Sequence, residues 1–193
     1  MKRLALLLCA SCITPEGPGI EAYVVAQAAE WRDPYTEQPH TSADLWDHID
    51  DELNRLGVEL RSQDELPAPL RSGAATTRCH RIYLSDAFNE RTKLDQLFLI
   101  YHELAHVRQC QYYGQTRFLS LYLADPSTRW AFETAAHIEG MRAWKSIGFH
   151  APALSKRAEF EATHIYDSYS LWPLDADLIC DLTRDILERS VGL

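Results

Sequence analysis

The sequence has few basic residues, and they form no run. It contains 19 Lys and Arg against 28 Asp and Glu in 193 residues, which gives a formal net charge of −9 at pH 7. Binding to a nucleic-acid backbone needs clustered positive charge, so this class of partner is excluded. No apolar stretch approaches the roughly 18 residues of a membrane-spanning helix, so none is predicted. The hydrophobic content of 46% is nevertheless sufficient for a core, which excludes wholesale disorder.

Cysteine is scarce, and none of the cysteines beyond residue 12 forms a closely spaced pair. Cys79, Cys110 and Cys180 lie far apart. The absence of a CxxC pair excludes a cysteine zinc knuckle and a thioredoxin-like site. In an exported protein two of these three cysteines could form a disulfide, but their spacing does not select the pair. For Cys110 we expect packing as a small buried hydrophobe rather than a disulfide.

The N-terminus is typical of an export signal. Two basic residues precede a short apolar run and then the small-residue segment Ala10-Ser11-Cys12. This segment resembles the processing site of bacterial lipoproteins, where the cysteine becomes lipidated. We therefore predict a signal peptide at residues 1–11, a lipid anchor at Cys12, and a protein that is secreted or held in the bacterial cell envelope. The alternative is an apolar N-terminus that packs on the domain.

The rest of the chain predicts one mostly helical α+β domain. Residues 12–40 include a stretch rich in proline and glycine and are interpreted as a linker and N-terminal segment, followed by a single domain at 41–193. Apolar periodicity and capping residues predict the helices and short strands of this domain, and residues 61–78 are predicted to be a loop. The predicted helices are 41–56, 92–113, 125–147, 154–169 and 175–188, the strands are 58–60 and 81–85, and 118–123 is a short apolar piece.

The strongest chemical signal is the pattern HExxH at residues 102–106. It lies inside the helix predicted at 92–113, where residues four apart share one face. His102 and His106 can therefore present two imidazole nitrogens to one zinc ion. Glu103, rotated by about 100° around the helix, can reach a water bound to that metal. The alternative is a structural histidine pair that is satisfied by hydrogen bonds.

Two histidines do not complete a zinc site, so a third ligand is required. The extended pattern HExxHxxGxxH is excluded, because Gln109 and Tyr112 occupy the positions of its Gly and second His. The next predicted helix offers Glu133, which we predict to be the third ligand. Glu139, six residues later, points away from that helix face. The alternative for Glu133 is an ordinary solvated charge.

Helix periodicity also places His137 on the face of Glu133. Ala136 and Gly140 lie on this face, and their small size lets the helix approach the HExxH helix closely, as a shared metal demands. His137 is either the third ligand in place of Glu133, or a hydrogen-bond partner of a ligand or of Glu103. The alternative is that His137 is a structural residue at the helix interface, with its ring nitrogens hydrogen-bonded within the protein.

These residues carry a resemblance to a known family. The run at 101–109, Tyr-His-Glu-Leu-Ala-His-Val-Arg-Gln, resembles the active helix of zincin metallopeptidases. With Glu133-Thr134-Ala135-Ala136 it resembles the gluzincin branch, whose third ligand is a Glu on a following helix, and it is similar to compact bacterial minigluzincins. Where many gluzincins carry Asp after this unit, the chain has His137.

The resemblance implies a zincin-like domain with a small sheet, an active helix and a ligand-bearing helix. It implies that His102, His106 and Glu133 bind Zn²⁺ and that Glu103 is the general base in hydrolysis of a peptide or protein substrate. It further implies that the strand at 82–84 is the edge strand that holds an extended substrate.

Two matters stay open at this point. The resemblance calls for an oxyanion donor, for which His164, Tyr166 and Tyr169 are candidates, although we expect ordinary packing or surface roles for them. The function itself has alternatives: a catalytically inactive zincin-like domain that binds zinc or a partner, or an effector or maturation protease with one specific protein substrate. Oligomeric state and substrate are not predicted.

Overall fold

The computed structural model describes residues 24–26, 28–29, 31–68, 71 and 73–193. The predicted signal peptide, the predicted lipid anchor at Cys12 and the linker up to residue 23 lie outside the described residues. Within them the chain is mostly helical with one small sheet, which confirms the predicted mostly helical α+β class. The elements are α1 Ser42–Leu56, β1 Glu59–Ser62, β2 Ala75–Arg78, β3 Arg81–Leu84, α2 Asp86–Asn89, α3 Lys93–Tyr113, α4 Gln115–Ala124, α5 Pro126–Ser146, α6 Ala151–Ser168 and α7 Ala176–Ser190.

Local signals set the ends of the long helices. The Thr92 hydroxyl accepts a hydrogen bond from the Asp95 amide at 3.1 Å and so begins α3. The Asp125 carboxylate accepts from the amides of Ser127 and Thr128 and begins α5, with proline at the first helical position. Helix α1 ends at Gly57, which has the left-handed φ of 63° that suits glycine. These ends agree with the prediction to within one residue.

Helices α3 and α5 form the centre of the molecule, and each is buried over most of its length. They approach closely at Gly140, where an added Cβ would lie 2.8 Å from ring carbons of Phe98. Only glycine fits at this separation, which confirms the role predicted for the small residues of α5. Helices α6 and α7 pack against each other and cover the outer side of α5. Among the described residues, no helix has both the length and the apolar character needed to cross a bilayer.

The sheet corrects two predictions. Its strand order is β1-β3-β2, with β3 parallel to β1 and antiparallel to β2. The strand containing Ile82 and Tyr83 is therefore central, with both edges paired, and is not the edge strand that the resemblance implied. The edge strand that packs on α3 is β2, in the region predicted to be a loop. Its sequence, Ala-Thr-Thr-Arg, has no apolar alternation, and pairing with β3 in a tight hairpin makes it a strand.

A disulfide joins the sheet to helix α3. Cys79, in the turn between β2 and β3, is bonded to Cys110, with 4.9 Å between their Cα atoms, and Cys180 is free. The prediction that Cys110 is only a packing residue is thus wrong. The bond lies in an apolar cluster with Phe118 and Phe132, one helical turn beyond His106. It holds the β2–β3 hairpin against the segment of α3 that carries HExxH.

We expect removal of this disulfide to lower the free energy of unfolding by about 3–4 kcal/mol, because the bond closes a loop of about 30 residues. The double variant Cys79→Ser/Cys110→Ser, measured by urea denaturation under oxidising conditions, checks this value. Cys180→Ser is the matched control, and it should change the unfolding free energy by less than about 1 kcal/mol. Equal stability of the double variant and the wild type would contradict the expectation.

Candidate metal centre

Three buried side chains converge between α3 and α5. His102 and His106 project from successive turns of α3, and their Nε2 atoms lie 3.0 Å apart. The Oε2 atom of Glu133 on α5 lies 3.3 Å from Nε2 of His102 and 3.4 Å from Nε2 of His106. The structure thus brings together the three residues that the sequence singled out as zinc ligands.

The separation of these three atoms fits a tetrahedral metal. Ligands at the usual zinc distances of 2.0–2.1 Å are separated from each other by about 3.3–3.4 Å, close to the observed triangle. Glu133 is buried, with only 1% of its surface exposed, and yet its Oε2 atom has no hydrogen-bond donor. A buried carboxylate oxygen without a partner is costly. The donor set of two imidazoles and one carboxylate is that of catalytic zinc sites with one open position.

The histidines and the carboxylate strongly shift each other's pKa values. Burial alone would lower the pKa of His106, but the negative charge of Glu133 beside it raises this pKa to about 9. Burial would raise the pKa of Glu133, yet His106 and His102 hold it well below its ordinary value. Burial, reinforced by His137, lowers the pKa of His102 to about 3. In the metal-free protein, one proton on His106 therefore offsets the charge of Glu133.

Gln109 orients His106. Its side-chain oxygen lies 2.8 Å from Nδ1 of His106, and its Nε2 donates to the carbonyl of Phe132 at 3.1 Å. Because the amide oxygen can only accept, Nδ1 of His106 carries the proton and Nε2 faces the centre. In the sequence, Gln109 marks only the departure from the extended pattern HExxHxxGxxH. Its position three residues after His106 on the same helix was the signal that could have revealed this role.

Glu103 lies beside the three candidate ligands, and one of its carboxylate oxygens accepts a hydrogen bond from the sheet. The hydroxyl of Thr77 on β2 donates to its Oε2 at 2.5 Å. Within the described part of the chain, the other oxygen has no hydrogen-bond donor. Burial raises the pKa of Glu103, partly offset by His106 and by the hydrogen bond from Thr77. A carboxylate with a raised pKa and a free oxygen facing a cavity can accept and release a proton.

Two tyrosines complete the wall opposite β2. The hydroxyl of Tyr122 on α4 donates to Oε1 of Glu133 at 2.5 Å, so that Oε2 is the oxygen left without a donor. Tyr169, just after α6, lines the same cavity, and burial raises its pKa well above the ordinary value. Tyr122 lies in the piece at 118–123 that was not predicted to be a helix, so its role was missed.

The side chain of His137 bonds to the backbone of Glu133 and to the carboxylate of Glu161. It lies within 4.8 Å of ligand atoms of His102 and Glu133. However, its Nδ1 donates to the Glu133 carbonyl at 2.9 Å, and its Nε2 lies 3.0 Å from a carboxylate oxygen of Glu161. Both ring nitrogens are engaged, which favours the predicted supporting role over a ligand role. Burial would raise the pKa of Glu161, but His137 and Arg157 lower it to about 2.

The remaining candidates lie away from the three ligand atoms. Glu139 points away from the face of Glu133, as predicted, and it pairs with Arg142 and accepts from the backbone amide of Asp33 at 2.9 Å. The Tyr166 hydroxyl donates to the carbonyl of Leu174 at 3.1 Å and so has a packing role. His164 is exposed and lies 3.0 Å from the Ser168 hydroxyl.

The centre opens into a cavity of about 210 Å³. Residues of β2 form one wall, and α4 with Tyr169 forms the other. The three candidate ligand residues and Glu103 line it, so a small molecule or a peptide in the cavity would lie beside them. Comparison of the chain with protein-family models, curated proteins and solved structures finds no match. The functional interpretation therefore depends on this geometry and on the HExxH pattern.

Proposed function

We propose that the protein is a zinc-dependent peptidase with a zincin-like domain of the gluzincin type. The observation that carries the proposal is the triangle of His102 Nε2, His106 Nε2 and Glu133 Oε2, which has sides of 3.0–3.4 Å and whose carboxylate corner is a buried oxygen without a hydrogen-bond donor. A structural histidine pair has no need of this arrangement, because it would satisfy its polar atoms within the protein. One zinc ion is the group that fits this donor set.

Glu103 is the proposed general base. Zinc, when bound, activates a water ligand and polarises the scissile carbonyl. The free oxygen of Glu103 takes the proton of the attacking water, while Thr77 holds the other oxygen in place. Glu103 then returns this proton to the nitrogen of the leaving amine. Burial raises the pKa of Glu103 above its ordinary value, which makes the carboxylate a better proton acceptor.

Tyr169 is the proposed oxyanion donor, one of the candidates considered from the sequence. It lines the cavity beside the ligands, and its raised pKa keeps the hydroxyl protonated at neutral pH. Tyr122 is committed to Glu133 through its hydroxyl hydrogen, so it orients the ligand. A hydroxyl that donates from the cavity wall would stabilise the negative charge that develops on the substrate oxygen.

The substrate backbone is proposed to pair with β2. One edge of this strand is bonded to β3, and Ala75, Thr76 and Thr77 line the cavity along the other side. An extended peptide can add to such an edge through main-chain hydrogen bonds. Strand β2 thereby takes the substrate-binding role that was predicted for the strand at 82–84.

The disulfide supports the predicted export. Structural disulfides form in oxidising compartments and are rare in the cytosol. The Cys79–Cys110 bond lies directly beside the proposed active helix. We therefore propose that the chain works outside the cytoplasm, in the bacterial envelope or as a secreted protein, as the N-terminal sequence predicts.

Metal analysis and a hydrolysis assay test the proposed function together. We expect about one zinc per chain, loss of casein and peptide hydrolysis on chelation, and recovery on adding zinc. Absence of zinc binding would contradict the proposal. Zinc binding without hydrolysis of any peptide would support the inactive zinc-binding domain, and cleavage of one protein alone would support a specific effector or maturation protease.

Zinc affinity should fall as the pH falls. In the metal-free protein His106 has a pKa of about 9, and it must lose its proton before Nε2 can bind a metal. Between pH 8 and pH 6 the apparent association constant should therefore decrease about tenfold for each pH unit. Competition with a zinc chelator of known affinity measures this, and calorimetry in two buffers at pH 7 should show about one proton released. An equal affinity at pH 6 and pH 8 would contradict the assignment.

A further inference from the structure

A second and larger cavity adjoins the candidate metal centre. It measures about 520 Å³ and shares Ala75, Glu103, Tyr122, Leu123 and Tyr169 with the first cavity. A peptide bound at the centre would extend into it. The side chains lining this second cavity would then contact substrate groups next to the scissile bond.

Two arginines line the second cavity, Arg129 from α5 and Arg91 from the segment before α3. Glu103, the proposed general base, is the only carboxylate among the described residues that line this cavity. This lining contrasts with the net charge of −9 for the whole chain. A local positive potential in a cleft concentrates anionic groups even on an acidic protein.

The charge of Arg129 has no carboxylate partner in the part of the chain that the structure describes. Its guanidinium donates to backbone carbonyls: Nε to Tyr169 at 2.6 Å, Nη1 to Tyr122 at 2.8 Å and Nη2 to Ser170 at 2.9 Å. Carbonyls hold the group in position but do not neutralise it. With five N–H donors on a guanidinium, one hydrogen of Nη2 remains available to a ligand.

Arg91 contributes a second positive charge at the rim. Its side chain is exposed and, among the described residues, has no ion-pair or hydrogen-bond partner. A guanidinium held in position and an unpaired one lining the same cavity suit a carboxylate, which accepts hydrogen bonds on both oxygens.

We propose that the second cavity is a carboxylate-binding subsite that makes the enzyme prefer acidic peptide substrates. The carboxylate comes either from an Asp or Glu side chain near the scissile bond or from a free C-terminus. Arg129 is the fixed part of this subsite and Arg91 its adjustable part. The inference rests on the proposed peptidase function, because it assigns the specificity of that same cleft.

Peptide binding without turnover tests the subsite independently of hydrolysis. The probes are three fluorescently labelled octapeptide mixtures of randomised neutral sequence: one amidated, one amidated with a single internal Glu, and one with a free C-terminal carboxylate. Zinc-loaded and metal-free proteins are titrated by fluorescence anisotropy at low and at high salt. We expect at least one acidic mixture to bind about tenfold more tightly than the neutral one at low salt, with a smaller difference at high salt.

Arg91→Gln should reduce this acidic preference to about threefold or less, and Arg91→Glu should reverse it. Lys93→Gln is the matched control. It removes the same charge two residues away, but Lys93 lines a different cavity with Ser42, Ala43 and Trp46, so the preference should persist. Which acidic mixture responds identifies the source of the carboxylate.

Equal binding of all three mixtures by the wild type would overturn the subsite. So would an acidic preference that survives both Arg91→Gln and Arg129→Lys. A protein that neither binds zinc nor cleaves peptides but still shows the Arg91-dependent preference would refute the peptidase function and leave the carboxylate site standing. Failure of the carboxylate subsite and failure of the peptidase function therefore give different results.

Discussion

Glu133→Gln is expected to lower zinc affinity by at least about a thousandfold, more than the 10–100-fold typical of a residue that only supports a ligand. The substitution keeps the size of the side chain, but it replaces a charged ligand oxygen by a neutral amide. If the amide oxygen keeps the hydrogen bond from Tyr122, its NH2 group faces the two histidine nitrogens and cannot bind a metal. Zinc content after dialysis and chelator competition measure the loss, and hydrolysis should disappear with the metal.

Glu139→Gln is the matched control for this prediction. Glu139 is buried on the same helix, but its carboxylate contacts Arg142 and the Asp33 amide. We expect normal zinc binding in this variant, even if its stability falls because a buried ion pair is broken. Retention of zinc in Glu133→Gln together with its loss in Glu139→Gln would overturn the assignment of the third ligand.

Glu103→Gln is expected to keep zinc and to lower kcat by about 10²- to 10⁴-fold, the usual contribution of a general base. The amide still accepts the hydrogen bond from Thr77, so the local geometry is preserved, but it cannot take a proton from water. Steady-state hydrolysis of a peptide substrate, measured beside the zinc content of the same preparation, separates loss of the base from loss of the metal.

Thr77→Val provides a second measurement of the role of Glu103. The hydrogen bond from Thr77 lowers the pKa of Glu103 against the effect of burial. Its removal should raise this pKa further and move the acidic limb of the kcat/KM profile to higher pH, because the base must be deprotonated in the free enzyme. Full turnover by Glu103→Gln, or an unmoved profile in Thr77→Val, would exclude Glu103 as the base.

The sequence alone determined those features that depend on neighbours within one helix. Capping residues such as Thr92 and Asp125 predicted where the two central helices begin, because a cap acts over three residues. The spacing of His102 and His106 predicted two nitrogens on one face for the same reason. Selection of Glu133 over Glu139 required only helix periodicity, and the structure places Glu133 beside the histidines and Glu139 away from them.

The tertiary structure decided how distant segments meet at the centre. Strand β2 escaped prediction because its polar residues become a strand only by pairing with β3, and Thr77 reaches Glu103 only across that packing. The Cys79–Cys110 bond likewise joins residues 31 positions apart, a proximity that no local pattern encodes. Tyr122 meets Glu133 because α4 folds back between the two long helices. These contacts depend on the packing of whole elements, which removes water and brings distant polar groups within bonding distance.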